Sequence, residues 1–216
     1  MSAESGISTF RDSNGLWKNH RIEEVASPIA WQNTPELVME FYNLRRKQLF
    51  EVEPNAGHIA LVELEKHFDV QIITQNVDDL HERAGSKNVL HLHGELKKVR
   101  STVDENLIYE LNHWELKFGD KCTKGSQLRP HIVWFGEAVP MIEKAIEIAS
   151  TADILIVIGT SMVVYPAASL INYVQTNIPK YYIDPQAFKV SDISNLEVIK
   201  EKAGIGIPKL VSQLIG

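Results

Sequence analysis

The chain has 216 residues, enough for one substantial domain, alone or with a small inserted module. Its hydrophobic content of 44% and charged content of 23% are those of an ordinary globular protein. The net charge of −6, with acidic and basic residues interspersed, argues against a protein that binds nucleic-acid backbones.

The cysteine content and the length of the apolar runs exclude further classes of protein. Cys122 is the only cysteine, which excludes an intramolecular disulfide and a zinc site built on several thiolates. Cys122 could be a nucleophile or a non-catalytic thiol. No base is identifiable near it in the sequence, which favours the non-catalytic role. No run reaches the ~18 apolar residues of a membrane helix, and residues 1–10 lack a signal-peptide pattern. We therefore expect a cytoplasmic protein without a membrane partner.

The chain opens with a polar segment over residues 2–20, rich in Ser, Gly, Asn and Asp, which also carries Phe10, Arg11 and Trp17. Long irregular loops in compact domains tend to be functional or disordered, so a functional loop and a disordered tail both remain open.

Helical spacing of apolar residues predicts a helix over residues 35–50, after an N-cap at Thr34. Tyr42 and Arg45 lie three positions apart and share one side of it. From these residues alone, an aromatic ring packed on an arginine stem is the favoured interpretation. Pro54 is predicted to open a second helix.

Residues 71–94 are the most informative stretch. An apolar run over residues 71–74 leads into a polar turn, then into a short helix closed by Gly85, and a second β-type run over residues 88–92 follows. Ligands of open parallel sheets bind beyond the carboxyl ends of the strands. We therefore expect chemistry where these two runs end.

The side chains at those two ends are Gln75, Asn76, Asp78, His91 and His93. Histidine titrates near neutral pH, which supports His93 as a general base. His91, His93 and Asp78 could instead be metal ligands, and strand-end histidines could simply bind backbone groups. The residues alone leave these three interpretations open.

The second half of the chain changes character twice. Residues 97–131 break the alternation of helices and strands, which predicts a small insertion. A β-type run over residues 131–137 and an amphipathic helix over residues 141–149 follow. Residues 153–159 then form an uninterrupted aliphatic run, typical of a central strand covered on both faces.

The closing segment predicts a last strand over residues 180–184, a turn over residues 204–206 and a helix over residues 208–215. Gly159-Thr160-Ser161, at the end of the preceding strand, could offer donors to a phosphate, although the motif is weak alone. Repeated strands and helices predict an α/β fold with a parallel sheet.

Short motifs in a fixed order resemble the sirtuins, NAD-dependent protein-lysine deacylases. They are residues 2–7, 9–11, 75–78, 93–94, 133–137 and 159–161. The resemblance implies a Rossmann-like sheet with helices on both faces and a small inserted module. It divides one catalytic domain into a Rossmann-like part, about residues 1–17, 68–96 and 131–216, and a module, about residues 18–67 and 97–130.

The resemblance also implies functional residues, with His93 as general base. The implied NAD contacts are Ser2, Ala3, Glu4, Phe10, Arg11, Trp17, Gln75, Asn76, Asp78, Gly159, Thr160, Ser161 and Ala203. The implied substrate contacts are Tyr42, Arg45, Val133, Phe135, Gly136 and Glu137. The implied partner is acylated lysine in a protein or peptide, acted on by a monomer without nucleic acid.

Tyr42 and Arg45 match the Tyr-x-x-Arg pair of the sirtuin subgroup that prefers malonyl, succinyl or glutaryl lysine. A guanidinium can pair with the carboxylate that an acetyl group lacks, so we expect succinyl and malonyl lysine to be preferred over acetyl lysine. Protein ADP-ribosyl transfer and non-catalytic NAD or ADP-ribose sensing are the alternative functions.

Two departures from the family pattern stand out. Sirtuin zinc sites use four cysteines, whereas Ser101 and Gly125 occupy cysteine positions in this chain, so no zinc is expected. Sirtuins also carry a strand ending in Gly-Ala-Gly before the segment that matches Ser2, and the sequence leads us to expect this first strand to be missing.

Overall fold

The computed structural model describes residues 1–7, 16–17, 20–160, 167–187 and 193–216, with residues 16–17 as backbone only. The α-helices are α1 (Pro28–Asn33), α2 (Pro35–Leu49), α3 (Ala56–Leu64), α4 (Leu80–Ala84), α5 (Ile142–Ser150) and α6 (Ala203–Ile215). The strands are β1 (Leu16–Trp17), β2 (His20–Arg21), β3 (Ile72–Thr74), β4 (Val89–His91), β5 (Gly94–Ser101), β6 (Ile108–Glu110), β7 (Leu128–Ile132), β8 (Leu155–Ile158), β9 (Lys180–Ile183) and β10 (Leu196–Ile199). Short 3-10 segments lie at Ser2–Ser5, Ile22–Glu24 and Ala167–Asn172.

The larger layer is built from parallel strands with helices on both faces. β3 pairs with β4, and β8, β9 and β10 form a second parallel ladder with β9 in the middle. Ile72 packs in the cluster that contains α3 and α6, whereas its neighbour Ile73 packs in the cluster that contains Ala145 of α5. Successive strand residues point to opposite faces, so these contacts put helices on both sides. The predicted α/β class is confirmed.

The smaller layer is an antiparallel sheet in which β5 lies between β6 and β7. Its core consists of Met39, Val99, Leu116, Cys122 and Leu128. Leu116 is buried in this core, and Leu107 and Tyr109 pack against it. Ile108 and Trp114 are 44% and 38% exposed and do not belong to it.

Several predicted boundaries are wrong for identifiable reasons. The second helix begins at Ala56 rather than at Pro54, because the Asn55 side chain accepts a hydrogen bond from Gly57 N–H and caps it there. Thr34 does precede α2, but its hydroxyl donates to the Ala30 carbonyl of α1 instead of capping α2.

The aliphatic run at residues 153–159 was predicted to be a central strand. In the described part of the chain β8 bonds only to β9, and all four of its residues are half-buried. It is therefore an edge of its ladder.

The C-terminal region differs most from its prediction. α6 begins at Ala203, before the turn predicted at residues 204–206, and contains Pro208. Glu4 stabilises this early start, because its carboxylate accepts hydrogen bonds from Ala203 N–H and Gly204 N–H at 2.7 and 3.0 Å. β10 was not predicted. Among the described residues, no helix has the length and apolar character that spanning a bilayer requires.

Candidate active site

The polar strand ends meet at one edge of the parallel sheet, as predicted. Thr74 at the end of β3 is paired in register with His91 at the end of β4. The loops that follow both strands therefore start side by side, and the His93 ring comes within hydrogen-bond distance of the Gln75 carbonyl. This edge is where ligands of parallel sheets bind.

Hydrogen bonds hold the loop after β3 in one conformation. The Thr74 hydroxyl accepts from Asn76 N–H at 3.0 Å, and the Asn76 side-chain amide donates to the Ser2 hydroxyl at 2.8 Å. Asp78 is only 4% exposed and accepts from Leu80 N–H at 3.3 Å. Burial raises the pKa of Asp78, although hydrogen bonds from Ser2 and Leu80 oppose that rise.

His93 has the geometry of a neutral base. Its Nδ1 lies 3.2 Å from the Gln75 carbonyl oxygen, which can only accept a hydrogen bond. Nδ1 therefore carries the hydrogen, and Nε2 is left with the lone pair that can take up a proton. Burial lowers the pKa of His93, partly opposed by the bond to Gln75, so the ring is neutral at pH 7.

His91 supports the loop instead. Its Nδ1 lies 3.0 Å from the Asn76 carbonyl and its Nε2 lies 2.7 Å from a Glu82 carboxylate oxygen. Burial alone would lower the pKa of His91, but the contacts with Glu82 and Asn76 leave it raised. Both ring nitrogens thus face protein groups. In the described part of the chain, no three His, Cys, Asp or Glu side chains form a group that could hold a metal ion.

The N-terminal turn lies against the carboxyl end of β8. Gly159 has φ of 61°, and a Cβ at this position would lie 2.8 Å from the Met1 nitrogen. Only glycine permits so close an approach of two backbones. The adjoining Thr160 carbonyl accepts from the Tyr182 hydroxyl at 3.0 Å.

Some of the predicted cofactor residues contact one another, and others cannot be placed. Glu4 and Ala203 are brought together by the cap of α6, and Ala3, which is exposed, accepts from Gly6 N–H through its carbonyl. Phe10, Arg11 and Ser161 lie outside the described residues, as does the side chain of Trp17.

The segment from Val133 to Glu137 is hydrogen-bonded directly to His93. Val133 N–H donates to the His93 carbonyl at 2.9 Å, and Phe135 N–H donates to the Ala26 carbonyl at 3.0 Å. Phe135 is 50% exposed and Gly136 is exposed. Val133 is therefore fixed beside His93, and the next exposed residues are Phe135 and Gly136.

Gly94 makes this junction sterically feasible. It has φ of 79°, and a Cβ there would lie 2.0 Å from the His131 carbonyl oxygen. A side chain at this position would separate β5 from β7.

Tyr42 and Arg45 lie on α2, with Tyr42 near Trp134 and Arg45 near Asp78. The Tyr42 ring is 2% exposed and packs edge-on against Phe41 at 4.9 Å, and the Arg45 guanidinium carbon lies 5.5 Å from the centre of the Phe41 ring. Burial raises the pKa of Tyr42 and lowers that of Arg45. The charge of Asp78 opposes the shift at Arg45, so the guanidinium and the strand-end loop interact electrostatically.

The region of the family's zinc site holds hydroxyl groups. Ser126 Oγ lies 2.9 Å from Ser101 Oγ and 3.1 Å from Cys122 Sγ, and the Ser101 hydroxyl also accepts from Val103 N–H. Hydrogen bonds from Ser101 and Ser126 lower the pKa of Cys122 to about 7. One thiol and two hydroxyls do not fit tetrahedral zinc, which requires four strong ligands.

Three charged residues escaped the sequence analysis. Arg129 and Arg100 contact Glu137, and Glu82 contacts His91. Arg129 stands in the Leu-Arg-Pro-His-Ile run of β7, where a charge inside an apolar strand is the pattern that could have drawn attention to it.

Comparisons with known proteins identify the family of this chain. The model of the Sir2 family matches residues 1–166. An NAD-dependent protein deacylase of Helicobacter pylori strain 26695 is 56% identical over all of this chain and 93% of its own length, and one of Bacteroides thetaiotaomicron is 53% identical over all of this chain and 94% of its own. The crystal structure of a Sir2 homologue in complex with NAD superposes with a TM-score of 0.89 at 44% identity, covering 99% of this chain and 85% of that one. The chain therefore belongs to the Sir2 family, the sirtuins that its motifs resemble.

Proposed function

We propose that this protein is an NAD-dependent protein-lysine deacylase that transfers the acyl group of a modified lysine to ADP-ribose, consumes one water molecule and releases the lysine and nicotinamide. The observation that carries the proposal is the neutral His93, fixed by Gln75 and bonded through its own carbonyl to Val133. This arrangement puts a proton acceptor between a polar loop and the segment that leads to the exposed residues Phe135 and Gly136. The named activity of relatives more than 50% identical supports it.

The chemistry of the donor set fits NAD. Gln75 and Asn76 offer amides and Asp78 a carboxylate to the nicotinamide and ribose side, while Ser2 adds a hydroxyl. Gly159 lets the N-terminal turn approach the end of β8, and Thr160 follows it on the side that we assign to the diphosphate and ribose. Bound NAD supplies the ribose carbon that accepts the acyl oxygen. No step depends on zinc.

The protein residues position groups and move one proton. Val133 is bonded to His93, and Phe135 and Gly136 are exposed next to it, so we place the peptide on this surface with its acyl-lysine directed towards His93. His93 Nε2 takes the proton from a ribose hydroxyl, while the Nδ1 bond to Gln75 holds the ring orientation. Asp78 and His91 keep the Gln75–Asn76 loop in place.

We further propose that succinyl and malonyl lysine are preferred over acetyl lysine. Arg45 is partly buried beside Tyr42, and a carboxylate at the end of an acyl group could form charge-assisted hydrogen bonds there. An acetyl group would leave the guanidinium without that carboxylate. A lost charge-assisted bond corresponds to roughly 1.5–3 kcal/mol, or about 10- to 150-fold in kcat/KM.

Product analysis tests the reaction. The protein is incubated with NAD and acetyl, succinyl or malonyl lysine peptides, and the products are identified by mass spectrometry. We expect free lysine peptide, nicotinamide and acylated ADP-ribose in equal amounts. ADP-ribose attached to protein would indicate ADP-ribosyl transfer, and NAD binding without nicotinamide release would indicate a sensor.

The acyl preference has its own test. Arg45→Met should lower kcat/KM for the succinyl peptide and leave the acetyl peptide within about threefold, so that the ratio approaches one. Lys47→Met on the same helix is the matched control, because Lys47 is exposed. Equal wild-type rates on acetyl and succinyl peptides would contradict the preference.

A further inference from the structure

A cluster of charged residues lies behind the substrate segment. The Glu137 carboxylate receives Arg129 Nη1 at 2.8 Å and Arg100 Nη2 at 3.3 Å on one oxygen. Its other oxygen accepts from Trp134 N–H at 2.8 Å and from Arg129 Nη2 at 3.1 Å. Arg129 thus forms a bidentate pair, the strongest geometry available to a guanidinium and a carboxylate.

The same arginine holds a tryptophan. The Arg129 guanidinium carbon lies 3.3 Å from the centre of the Trp134 ring, and Arg129 Nη2 also donates to the Ile132 carbonyl at 3.0 Å. Trp134 is 2% exposed, and its ring centre lies 6.4 Å from that of Tyr42. Contacts therefore run without interruption from Glu137 through Arg129 and Trp134 to Tyr42, which we place with Arg45 at the acyl group of the substrate and call the acyl site.

The position of Trp134 determines what the segment presents to a substrate. Trp134 opens a turn that Glu137 N–H closes by donating to the Trp134 carbonyl at 3.0 Å. Trp134 is 2% exposed at the start of this turn, whereas Phe135, the next residue, is 50% exposed. Release of Trp134 would therefore disturb both the acyl site and the exposed turn proposed to contact the peptide.

Glu137 is well suited to hold this arrangement. Burial alone would raise its pKa, but hydrogen bonds from Arg129 and Trp134 N–H keep the pKa below its ordinary value. The carboxylate is therefore ionised at pH 7, and protein donors engage both of its oxygens. A substrate group would have to displace one of them.

We infer that Glu137 is a positioning residue rather than a substrate contact: paired with Arg129, it holds Trp134 beside Tyr42 and so fixes both the acyl site and the exposed turn proposed to contact the peptide. The inference rests on the proposed deacylase function and names a specificity device of that same site.

The test uses Glu137→Gln, which removes the charge, and Arg129→Lys, which keeps a charge but can neither pair bidentately nor stack equally well. Glu143→Gln is the matched control, because Glu143 is exposed on α5. Values of kcat and KM are measured for acyl peptide and for NAD. We expect both test variants to raise the KM of the peptide about tenfold while kcat and the KM of NAD change less than about twofold. The control should behave as wild type.

Two outcomes would overturn the inference. A raised peptide KM in Glu137→Gln but not in Arg129→Lys would mean that the carboxylate contacts substrate directly. Parallel increases in the KM of NAD and of peptide would mean a general loss of structure. Absence of wild-type turnover would instead refute the proposed function. Near-UV circular dichroism would then decide the inference, since a displaced Trp134 alters the spectrum of both test variants, and unchanged spectra would refute it.

Discussion

Two histidines buried against each other make the stability of this protein sensitive to acid. His58 and His81 are 0% and 4% exposed, and their ring centres lie 4.9 Å apart. Burial, reinforced by the charge of His81, lowers the pKa of His58 to about 3, and burial lowers that of His81 to about 4 although the charge of Glu82 opposes it. An unfolded histidine has a pKa of about 6.5, so the unfolded chain binds these protons first.

The size and sign of the effect follow from proton linkage. Above pH 6.5 both histidines are neutral in the folded and the unfolded chain, so the pair does not reduce the free energy of unfolding. As the pH falls from 6.5 towards the folded-state pKa values, only the unfolded chain takes up these protons, and the free energy of unfolding decreases. From pH 7.5 to 5.5, each histidine lowers the free energy of unfolding by about 1.4 kcal/mol, or about 2.7 kcal/mol for the pair. The lowered pKa values of His93 and His131 add to this loss, and the raised pKa of His91 opposes it.

The assay compares urea unfolding of wild type and His81→Phe at pH 7.5 and 5.5. Phenylalanine keeps an aromatic ring beside His58 but cannot titrate, so the variant should lose about 1.4 kcal/mol less than wild type over this range. His67→Gln, at an exposed position, is the control and should show the wild-type difference. An equal decrease in the free energy of unfolding for His81→Phe and wild type between pH 7.5 and 5.5 would show that His81 does not cause the acid sensitivity.

Three further predictions concern the active site and the small sheet. Gly94→Ala should destabilise the protein by about 3 kcal/mol or more in urea unfolding, because φ is positive and the new Cβ meets the His131 carbonyl; wild-type stability would contradict this. The lowered pKa of His93 predicts that kcat/KM falls only below pH 6.5; an acid limb above that pH would argue against it as the base. Elemental analysis should find no stoichiometric zinc, and a melting temperature that a chelator lowers would contradict this. In the same region, Ser126→Ala should lower the free energy of unfolding by about 1 kcal/mol, because it removes the contacts to Ser101 and Cys122.

Local patterns predicted the elements that local interactions stabilise. Helical periodicity located α2 and α5, and apolar runs located β3 and β9, because each of these elements buries a face recognisable within its own residues. The order of motifs predicted that Gln75 and His93 lie together, as parallel pairing of β3 and β4 requires.

Contacts between distant residues were out of reach of local patterns. The start of α6 depends on Glu4, 199 positions before Ala203, and no local signal places a helix start ahead of Pro208. The bond between Ser101 and Ser126 likewise depends on the pairing of β5 with β7. The Glu137 carboxylate contacts Arg129 of β7 and Arg100 of β5. These two arginines come together only because β5 pairs with β7, which no local pattern shows.

If His93 is the general base of an NAD-dependent deacylation, its replacement stops turnover without preventing NAD binding. The most direct measurement compares acyl-peptide turnover and NAD binding in wild type and His93→Tyr. We expect turnover to fall by at least about a hundredfold, since general-base catalysis contributes 10²–10⁴, while NAD still binds. Turnover at the wild-type rate in His93→Tyr would contradict the assignment.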